Sequence, residues 1–319
     1  MNTRRNPAPT VIVLGTTYSG SGAVFDYLAS RPDSFDPLMG EEYLLPQSPY
    51  GLMNLRSALG ESFHHSAAHH AAGQFLWLAK RLYQTPTKFR YGKGYENRLP
   101  KFLDEVHALL DDATAARFPF KLEWSKTRRS NRQHFLLWLS KKLLRLEPRA
   151  HPTWLPVSED AFISLVQEMH QRLFGAHEET GYTFTLLNQA GSGWNPVNST
   201  VFFANRKVIV VTRDPRDQFA ELKIHKGASD VGEFIKWYEG MQERLQVENP
   251  DILKVEFEAF VHRHKTAIQS VSEFIGIAPA TPSSYSPDNS KKNIGKFHSA
   301  LSGQEVAAIE KHLARFVRN

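Results

Sequence analysis

The chain contains no cysteine. Disulfides, cysteine-ligated iron–sulfur clusters and thiol catalysis are thereby excluded, and the composition is compatible with a reducing compartment. Long apolar runs are missing as well. No stretch approaches the roughly 20 apolar residues that a membrane span needs. The apolar run nearest the amino terminus, Thr10 to Leu14, is too short for the h-region of a signal peptide. These absences predict a cytoplasmic protein without a transmembrane segment. There is also no internal repeat and no low-complexity tract. What is present is 319 residues of 41% hydrophobic content, enough for one large α/β domain with an insertion or for two smaller domains. Lys and Arg outnumber Asp and Glu by 39 to 33, a net charge of +6. That balance favours anionic partners, among them nucleotides, acidic glycans and nucleic acid, without separating them.

Two segments share one pattern. Thr10-Val-Ile-Val-Leu-Gly15 is a β-branched apolar run followed by the small, hydroxyl-rich turn Thr16-Thr-Tyr-Ser-Gly-Ser-Gly22 and then a helical pattern to about Ser30. Lys207-Val-Ile-Val-Val-Thr212 is followed by Arg213-Asp-Pro-Arg-Asp217 and a second helical pattern. A strand feeding a turn and a helix start presents backbone N–H groups and a positive dipole end to an anion. Small residues let backbone approach a phosphate. Arg213, directly after its strand, stands where ligands bind in parallel sheets and has the fork geometry for phosphate. Asp214 and Pro215 fit the cap and first turn of a helix. The plainer alternative is an ordinary strand-to-helix turn in one case and capping with surface ion pairs in the other. The first turn lacks the Gly-Lys-Ser/Thr ending of a Walker A loop, which disfavours a standard P-loop ATPase.

Further strands are predicted near Leu44–Leu45, at Tyr182 to Leu187 and at Leu253 to Phe257. Helical periodicity dominates from Leu52 to about Glu179, and helices are expected at Ala267 to Ile275 and Ser302 to Phe316. The last opens with Ser302-Gly-Gln-Glu305, a capping-box pattern. Strands alternating with helices imply a parallel sheet.

On these residues the chain resembles the sulfotransferases that use 3'-phosphoadenosine-5'-phosphosulfate, in their bacterial, glycan-type branch. The first turn resembles the family's 5'-phosphosulfate loop, and Arg213 to Asp217 its 3'-phosphate motif. Ser290-Lys-Lys-Asn-Ile-Gly-Lys-Phe297 resembles the terminal basic loop that closes over the 3'-phosphate. The resemblance implies an α/β fold, a central parallel sheet flanked by helices with P-loop-kinase-like topology. It implies one domain over 1–319, with a helical insert at about 60–180 that the motifs do not cover. The donor would be held by Tyr18, Ser19, Gly20, Ser21, Gly22 and Ala23, and by Arg213, Lys291, Lys292 and Gly295. No metal is required. Counting back from Leu28-Ala-Ser-Arg-Pro32 places the loop glycine at Gly20, a register that keeps Gly20 and Gly22 out of a helix interior. Tyr18 then stands where the family has a catalytic lysine or arginine, and Glu221 where it has a serine for the 3'-phosphate. A Glu221 carboxylate near a 3'-phosphate must point away or pair with a cation.

Sulfuryl transfer needs a group to take the proton of the acceptor hydroxyl. Asp36-Pro-Leu-Met-Gly-Glu-Glu-Tyr43 lies where the glycan-type branch carries a glutamate soon after the first helix. Glu41 is the expected base and Glu42 the second choice. At strand spacing only one of the two faces a pocket. The alternative is a pair of solvated turn carboxylates. The resemblance implies an acceptor hydroxyl on a glycan, and no nucleic-acid partner is expected. Two other readings stay open: a kinase-like nucleotide phosphotransferase, which predicts Mg²⁺ and ATP, and a non-catalytic homologue that binds an anionic ligand. Asn188-Gln189 and 195–198 are weaker acceptor-site candidates. His64-His65 and His69-His70 have helical-turn spacing, but no nearby carboxylate completes a metal set. Residues 121–149 hold nine Lys or Arg around Phe135-Leu-Leu-Trp-Leu139. This reads either as a basic amphipathic helix for an anionic surface or as a solvated face over a helical core.

Overall fold

The computed structural model describes residues 8–120, 130–144, 151–175, 181–245, 248–279 and 285–318. At its centre five strands form an all-parallel sheet: β1 (Thr10–Gly15), β2 (Ser34–Phe35), β5 (Phe184–Asn188), β6 (Arg206–Thr212) and β7 (Ile252–Glu256), in the order β2-β5-β1-β6-β7. A separate antiparallel hairpin pairs β3 (Thr114–Phe120) with β4 (His151–Pro156). The expected α/β class, a parallel sheet with helices on both faces, is the one observed.

The β-branched runs make the central strands, and alternation divides their side chains between two cores. Val11, Val13, Leu186, Ile209 and Val211 face the helices Ser21–Ala29 and His264–Ile275. Ile12, Leu14, Leu187, Val208 and Val210 face the opposite layer. There they meet Leu52 and Leu55, Phe75 of the His65–Tyr83 helix, Phe102 of Phe102–Asp112 and Phe162 of Glu159–Phe174. All four central hydrophobic positions of β1 are fully buried. That double coverage is why β1 and β6 read as continuous apolar runs rather than alternating ones.

Three expectations shift. Leu44 and Leu45 lie outside any strand; β2 falls at Ser34–Phe35, and only a single bridge joins Glu42 to Asn188. The β3–β4 hairpin sits inside the stretch read as helical. Its Pro119, Pro152 and Pro156 are tolerated because neither strand of a two-stranded sheet is flanked on both sides. The expected terminal helix runs as Gly303–His312, then a 3₁₀ turn at Ala314–Phe316, and the Ser302–Glu305 capping box is formed at its start.

The sheet order fixes where a ligand can enter. The chain leaves β1 toward β2 on one side, while β6 lies on the other, so the strand order reverses between β1 and β6. Crevices open at the carboxyl ends of strands at such a switch point. Gly15 is paired with Val211 there, two residues before Arg213.

Candidate active site

The turn after β1 is held in an unusual backbone conformation. Thr17 (φ 61°), Tyr18 (φ 51°) and Gly20 (φ 80°) are all left-handed. Such φ values cost a non-glycine residue on the order of 1 kcal/mol or more and persist only where surroundings enforce them. At Gly20 a Cβ would lie 2.4 Å from the Phe257 ring, so both the backbone and the space demand glycine. Gly20 caps the Ser21–Ala29 helix without a side-chain hydrogen bond, and of the first-turn N–H groups Ala23 N donates back to the Gly20 carbonyl at 3.0 Å. Gly20 precedes the helix and Gly22 is its second residue, so neither stands deep in a helix interior.

Polar side chains from distant segments clamp this turn. Gln189, at the end of β5, accepts from Gly15 N at 3.1 Å through Oε1 and donates to Ser21 Oγ at 3.0 Å. Ser19 Oγ accepts from Thr16 N at 3.0 Å. Gln218 donates to the carbonyls of both Thr16 and Thr17.

Arg213 is the centre of the arrangement. It is 4% exposed. Nη1 donates to the Tyr18 carbonyl at 2.9 Å, and Nη2 donates to the Asn293 carbonyl. The guanidinium lies over the Phe257 ring and 3.6 Å from Glu221. Asp214 caps the Pro215–Ile224 helix, and its carboxylate also takes Arg216 and Arg318 N. Asp217, one turn on and buried, accepts from Gly295 N at 2.8 Å and Phe297 N at 3.1 Å. The three segments that the sequence singled out, at 16–22, 213–217 and 290–297, are thus bound into one cluster.

Glu221 points into that cluster. Lys296 Nζ lies 2.6 Å from Oε1, Arg213 3.6 Å from the same oxygen, and His225 Nε2 3.5 Å from Oε2. Burial pushes the carboxyl up, but the Lys296 hydrogen bond and charge, with those of Arg213 and His225, hold it below its ordinary value. The Tyr18 ring, at the lysine position of the resemblance, stacks on the His225 ring at 5.1 Å, and its carbonyl accepts from the Arg213 guanidinium at 2.9 Å. Lys291 pairs with Asp288 and Lys292 is exposed, while Gly295 (φ 79°) turns the chain so that Lys296 enters the cluster. Sequence reasoning missed Lys296, together with Gln218, Asp217 and His225. Lys296 and Asp217 lie inside the quoted motifs 290–297 and 213–217 without having been named as site residues there, and the linear signal for His225 is its i, i+4 spacing from Glu221. Four buried polar atoms here lack a hydrogen-bond partner: Thr16 Oγ1, Arg213 Nε, Gln218 Oε1 and Glu258 Oε2. Buried unsatisfied groups gathered in one place are the mark of a site that takes a polar ligand or water.

Glu41 lies along the same edge of the sheet. Asn188, the last residue of β5, donates to the Gly40 carbonyl at 3.0 Å and is bridged to Glu42. Lys93 Nζ lies 2.7 Å from Glu41 and 3.2 Å from Glu42, and Arg98 lies 4.0 Å from Glu41. Both carboxylates therefore reach one ammonium, against the expectation from strand alternation; the segment is not a strand beyond its single bridge. Burial raises the Glu41 carboxyl and the Lys93 bond outweighs it, leaving it below the ordinary range and ionised at neutral pH. Tyr95 supports the segment: its hydroxyl donates to the Glu42 carbonyl at 2.7 Å and accepts from Leu44 N at 2.9 Å. Beneath, the Tyr43 hydroxyl meets His170 Nε2 at 3.0 Å.

A cavity of about 370 Å³ opens beside Thr17, walled by Leu222, Asp230, Phe234 and Trp237. Another, of about 440 Å³, lies near the opposite end of the strands beside Thr10, Thr185 and His170, away from the clustered loops. Among the described residues no group of three or more His, Asp or Glu is placed to hold a metal ion, and no helix is long and apolar enough to cross a membrane.

No protein-family model matches the chain, and no curated protein matches it. Solved structures do. The sulfotransferase domain of the olefin synthase of Synechococcus PCC 7002 is 13% identical over 98% of this chain and 96% of that one, with a TM-score of 0.45. The sulfotransferase domain of the curacin biosynthetic pathway is 11% identical over 98% and 100%, with a TM-score of 0.41. Sulfotransferase STF9 of Mycobacterium avium is 10% identical over 97% and 76%, with a TM-score of 0.38. Similarity at this level carries no function across, so the reading below rests on this chain's own residues.

Proposed function

We propose that this protein is a sulfotransferase that moves a sulfuryl group from 3'-phosphoadenosine-5'-phosphosulfate to an acceptor hydroxyl, on a carbohydrate. The observation that carries the reading is the convergence on Arg213 of three loops separated by 195 and 80 residues. A ligand with anionic groups at two ends needs such a convergence, and a lone helix-capping motif does not. The first-turn amides after Gly20 would hold the 5'-phosphosulfate. Arg213 and Lys296 would face the 3'-phosphate, with Lys291 and Lys292 at the rim. The aromatic-walled cavity beside Thr17 has room for a ring system. The acceptor oxygen attacks sulfur, the bond from sulfur to the bridging phosphate oxygen breaks, and the acceptor proton passes to the Glu41 carboxylate. The glutamate placed soon after the first helix is the reason for naming a carbohydrate.

Calorimetric titration with 3'-phosphoadenosine-5'-phosphate tests the reading, with ATP·Mg²⁺ as the comparison. Tight binding of the bisphosphate, lost in Arg213→Ala and partly kept in Arg213→Lys, is expected. Preference for ATP·Mg²⁺ would replace the reading with a phosphotransferase. The observation that favours a non-catalytic binder is Tyr18 stacked on His225 where a lysine would assist the leaving oxygen. Bisphosphate binding without turnover on any hydroxyl acceptor would support that second reading.

A further inference from the structure

Of the basic stretch 121–149, residues 121–129 and 145–149 lie outside the described residues. Among the described ones, a different cluster of aromatic and basic side chains stands close to Glu41. On the His65–Tyr83 helix, Phe75, Leu78, Ala79 and Leu82 are buried, and Trp77 and Arg81, one turn apart, lie off that face. The Arg81 guanidinium lies over the Trp77 ring at 5.3 Å and over the Tyr91 ring at 5.3 Å. Tyr50 meets Trp77 edge to face at 6.2 Å. The cluster is open to solvent: Trp77 is 52% exposed, Tyr91 50% and Tyr50 43%. Arg81, exposed as well, forms no hydrogen bond and no ion pair with a described residue. Contact with the two rings uses the faces of the guanidinium and leaves its N–H edge for oxygens.

The surroundings hold these side chains in place. Tyr50 has a left-handed backbone (φ 69°), which an aromatic residue keeps only where its neighbours enforce it. Its N–H donates to Asn54 Oδ1 at 2.9 Å. Lys93 N donates to the Leu82 carbonyl at 3.1 Å and Gly94 N to the Gln84 carbonyl at 2.9 Å, so the chain returns along the helix end and sets Tyr91 beside Arg81. Both arms of the cluster run into the site. Lys93, two residues after Tyr91 and so within about 7 Å of it along the backbone, is the cation on Glu41. Gln47, three residues before Tyr50, donates to the Gln189 carbonyl at 2.9 Å, and Gln189 clamps the turn after β1. Burial raises the pKa of the Tyr95 hydroxyl most, and Glu41, Tyr91 and Glu42 add to the rise, so the Tyr91 side chain and both carboxylates lie within electrostatic reach of that one hydroxyl.

We propose that Tyr50, Trp77, Arg81 and Tyr91 form the acceptor subsite and that the acceptor is an acidic carbohydrate, its ring stacked on the exposed aromatic faces and its anionic oxygens taken by the Arg81 fork. Exposed Trp and Tyr faces suit the apolar face of a pyranose. A guanidinium fixed between two rings is pre-organised for a planar anion. Charge selects an acidic sugar over a neutral one. Residues 80–98 carry six Lys or Arg against one acid, Glu96. Lys93 and Arg98 are taken up by Glu41, whereas Lys80, Arg81 and Lys88 form no ion pair with a described residue. A uronate carboxylate and a sulfate ester share the required chemistry. The word acceptor rests on the sulfotransferase reading above; binding of the sugar at this cluster does not depend on the donor.

Calorimetric titration of the full chain without donor tests the subsite with three probes: tetragalacturonate, the same oligosaccharide with its carboxylates reduced to alcohols, and sulfated maltotetraose. At least one charged oligosaccharide should bind at least about tenfold more tightly than the neutral one, and which of them binds tells carboxylate from sulfate. Arg81→Gln should bring the charged oligosaccharide down to the neutral level, and Arg81→Lys should keep part of the difference. Trp77→Ala should weaken charged and neutral oligosaccharides alike, by about tenfold. Tm should stay unchanged in Arg81→Gln, because that side chain is exposed and touches only the two rings. Three results overturn the proposal: no binding of either charged oligosaccharide, equally tight binding of the neutral one, or binding that Arg81→Gln and Trp77→Ala leave unchanged. A chain that binds 3'-phosphoadenosine-5'-phosphate but none of the oligosaccharides keeps the donor reading and loses this subsite. A chain that binds an acidic oligosaccharide through Arg81 but not the bisphosphate keeps the subsite and loses the sulfuryl donor.

Discussion

Two carboxylates beside the carboxyl ends of the strands, Glu221 and Glu41, use the same chemical unit in different architectures. Glu221 sits among Arg213, Lys296 and His225, with its side chain 10% exposed. Glu41 sits against Lys93 and Arg98, with its side chain 28% exposed. In both, burial raises the carboxyl and paired cations bring it below the ordinary range. The cations around Glu221 come from two segments that are 75 residues apart in sequence and tied together through Arg213 and Asp217. Those around Glu41, Lys93 and Arg98, come from one short stretch of the chain. The Arg213 end is therefore built into the assembly of the whole molecule, and the Glu41 end into a local, replaceable part. Donor chemistry that must stay constant fits the first and acceptor chemistry that varies fits the second.

That contrast predicts that Arg213→Ala damages the fold as well as the site. It removes a buried cation, leaves Glu221 with less compensation and frees two carbonyls. Urea unfolding is expected to show a loss of about 3–5 kcal/mol. A loss below about 1 kcal/mol would mean that the three loops hold without Arg213, and the two ends would then not differ in the way described.

The Glu41 end has its own tie to stability, through acid. His170 is fully enclosed below Tyr43, and burial lowers its pKa from 6.5 to about 4 although the Phe202 carbonyl opposes the shift. Between those two pH values the unfolded chain takes up a proton that the folded chain refuses, so stability falls as pH drops from about 6.5 to about 4. The full span is worth about 3 kcal/mol. Urea titrations at pH 7.5 and pH 5 should show the fall, and His170→Gln should flatten it; an equal fall in both proteins would assign the acid sensitivity elsewhere.

Glu41→Gln should separate the ends functionally. Turnover is expected to drop about 100-fold or more, as for loss of a general base, with bisphosphate affinity unchanged. Because the Glu41 carboxyl is below the ordinary value of 4.5, the acid limb of the pH–rate profile should lie below that pH. Lys93→Met removes the cation that depresses it and should move the limb upward. A variant that loses turnover and donor affinity together would show that Glu41 serves the Arg213 end as well.

Much of the Arg213 end was legible in the sequence because its determinants are local. The β-branched runs 11–13 and 208–211 have to be buried strands, and a turn that follows a buried strand must open at the sheet edge. Asp214-Pro215 can hardly be anything but a helix start. What stayed hidden was set by tertiary geometry. Lys291 and Lys292 stand out as a pair, yet the short helix Pro287–Lys291 sends Lys291 to Asp288, and the left-handed Gly295 delivers Lys296 instead. Gln218 and Asp217 read as ordinary polar positions in a first helical turn until the loops they hold are in place. The hairpin β3–β4 was masked by its prolines and by the helical stretches on either side. The exposure of Trp77 and Tyr91 could not be read at all, since an aromatic residue in a sequence looks the same whether a core covers it or not.

The smallest expected effect bears most directly on donor identity. Glu221 places a negative charge where the resemblance has a serine for the 3'-phosphate, and it already occupies the Lys296 and Arg213 cations. A bisphosphate has to share or displace that carboxylate, so Glu221→Gln should bind 3'-phosphoadenosine-5'-phosphate about tenfold more tightly, about 1.4 kcal/mol. The same substitution should alter acid stability with a definite sign. The folded carboxyl lies below its ordinary 4.5, so its contribution is present above that pH and is lost as pH falls through the lower folded value. The glutamine variant lacks the contribution at neutral pH and should lose less on acidification. Calorimetry and urea titration together decide the role of Glu221. Tighter binding with a flatter acid response makes it a resident anion that competes with the 3'-phosphate. Weaker binding makes it the group that positions Lys296 and Arg213, and the two carboxylates would then share one design, in which each orients the cation beside it.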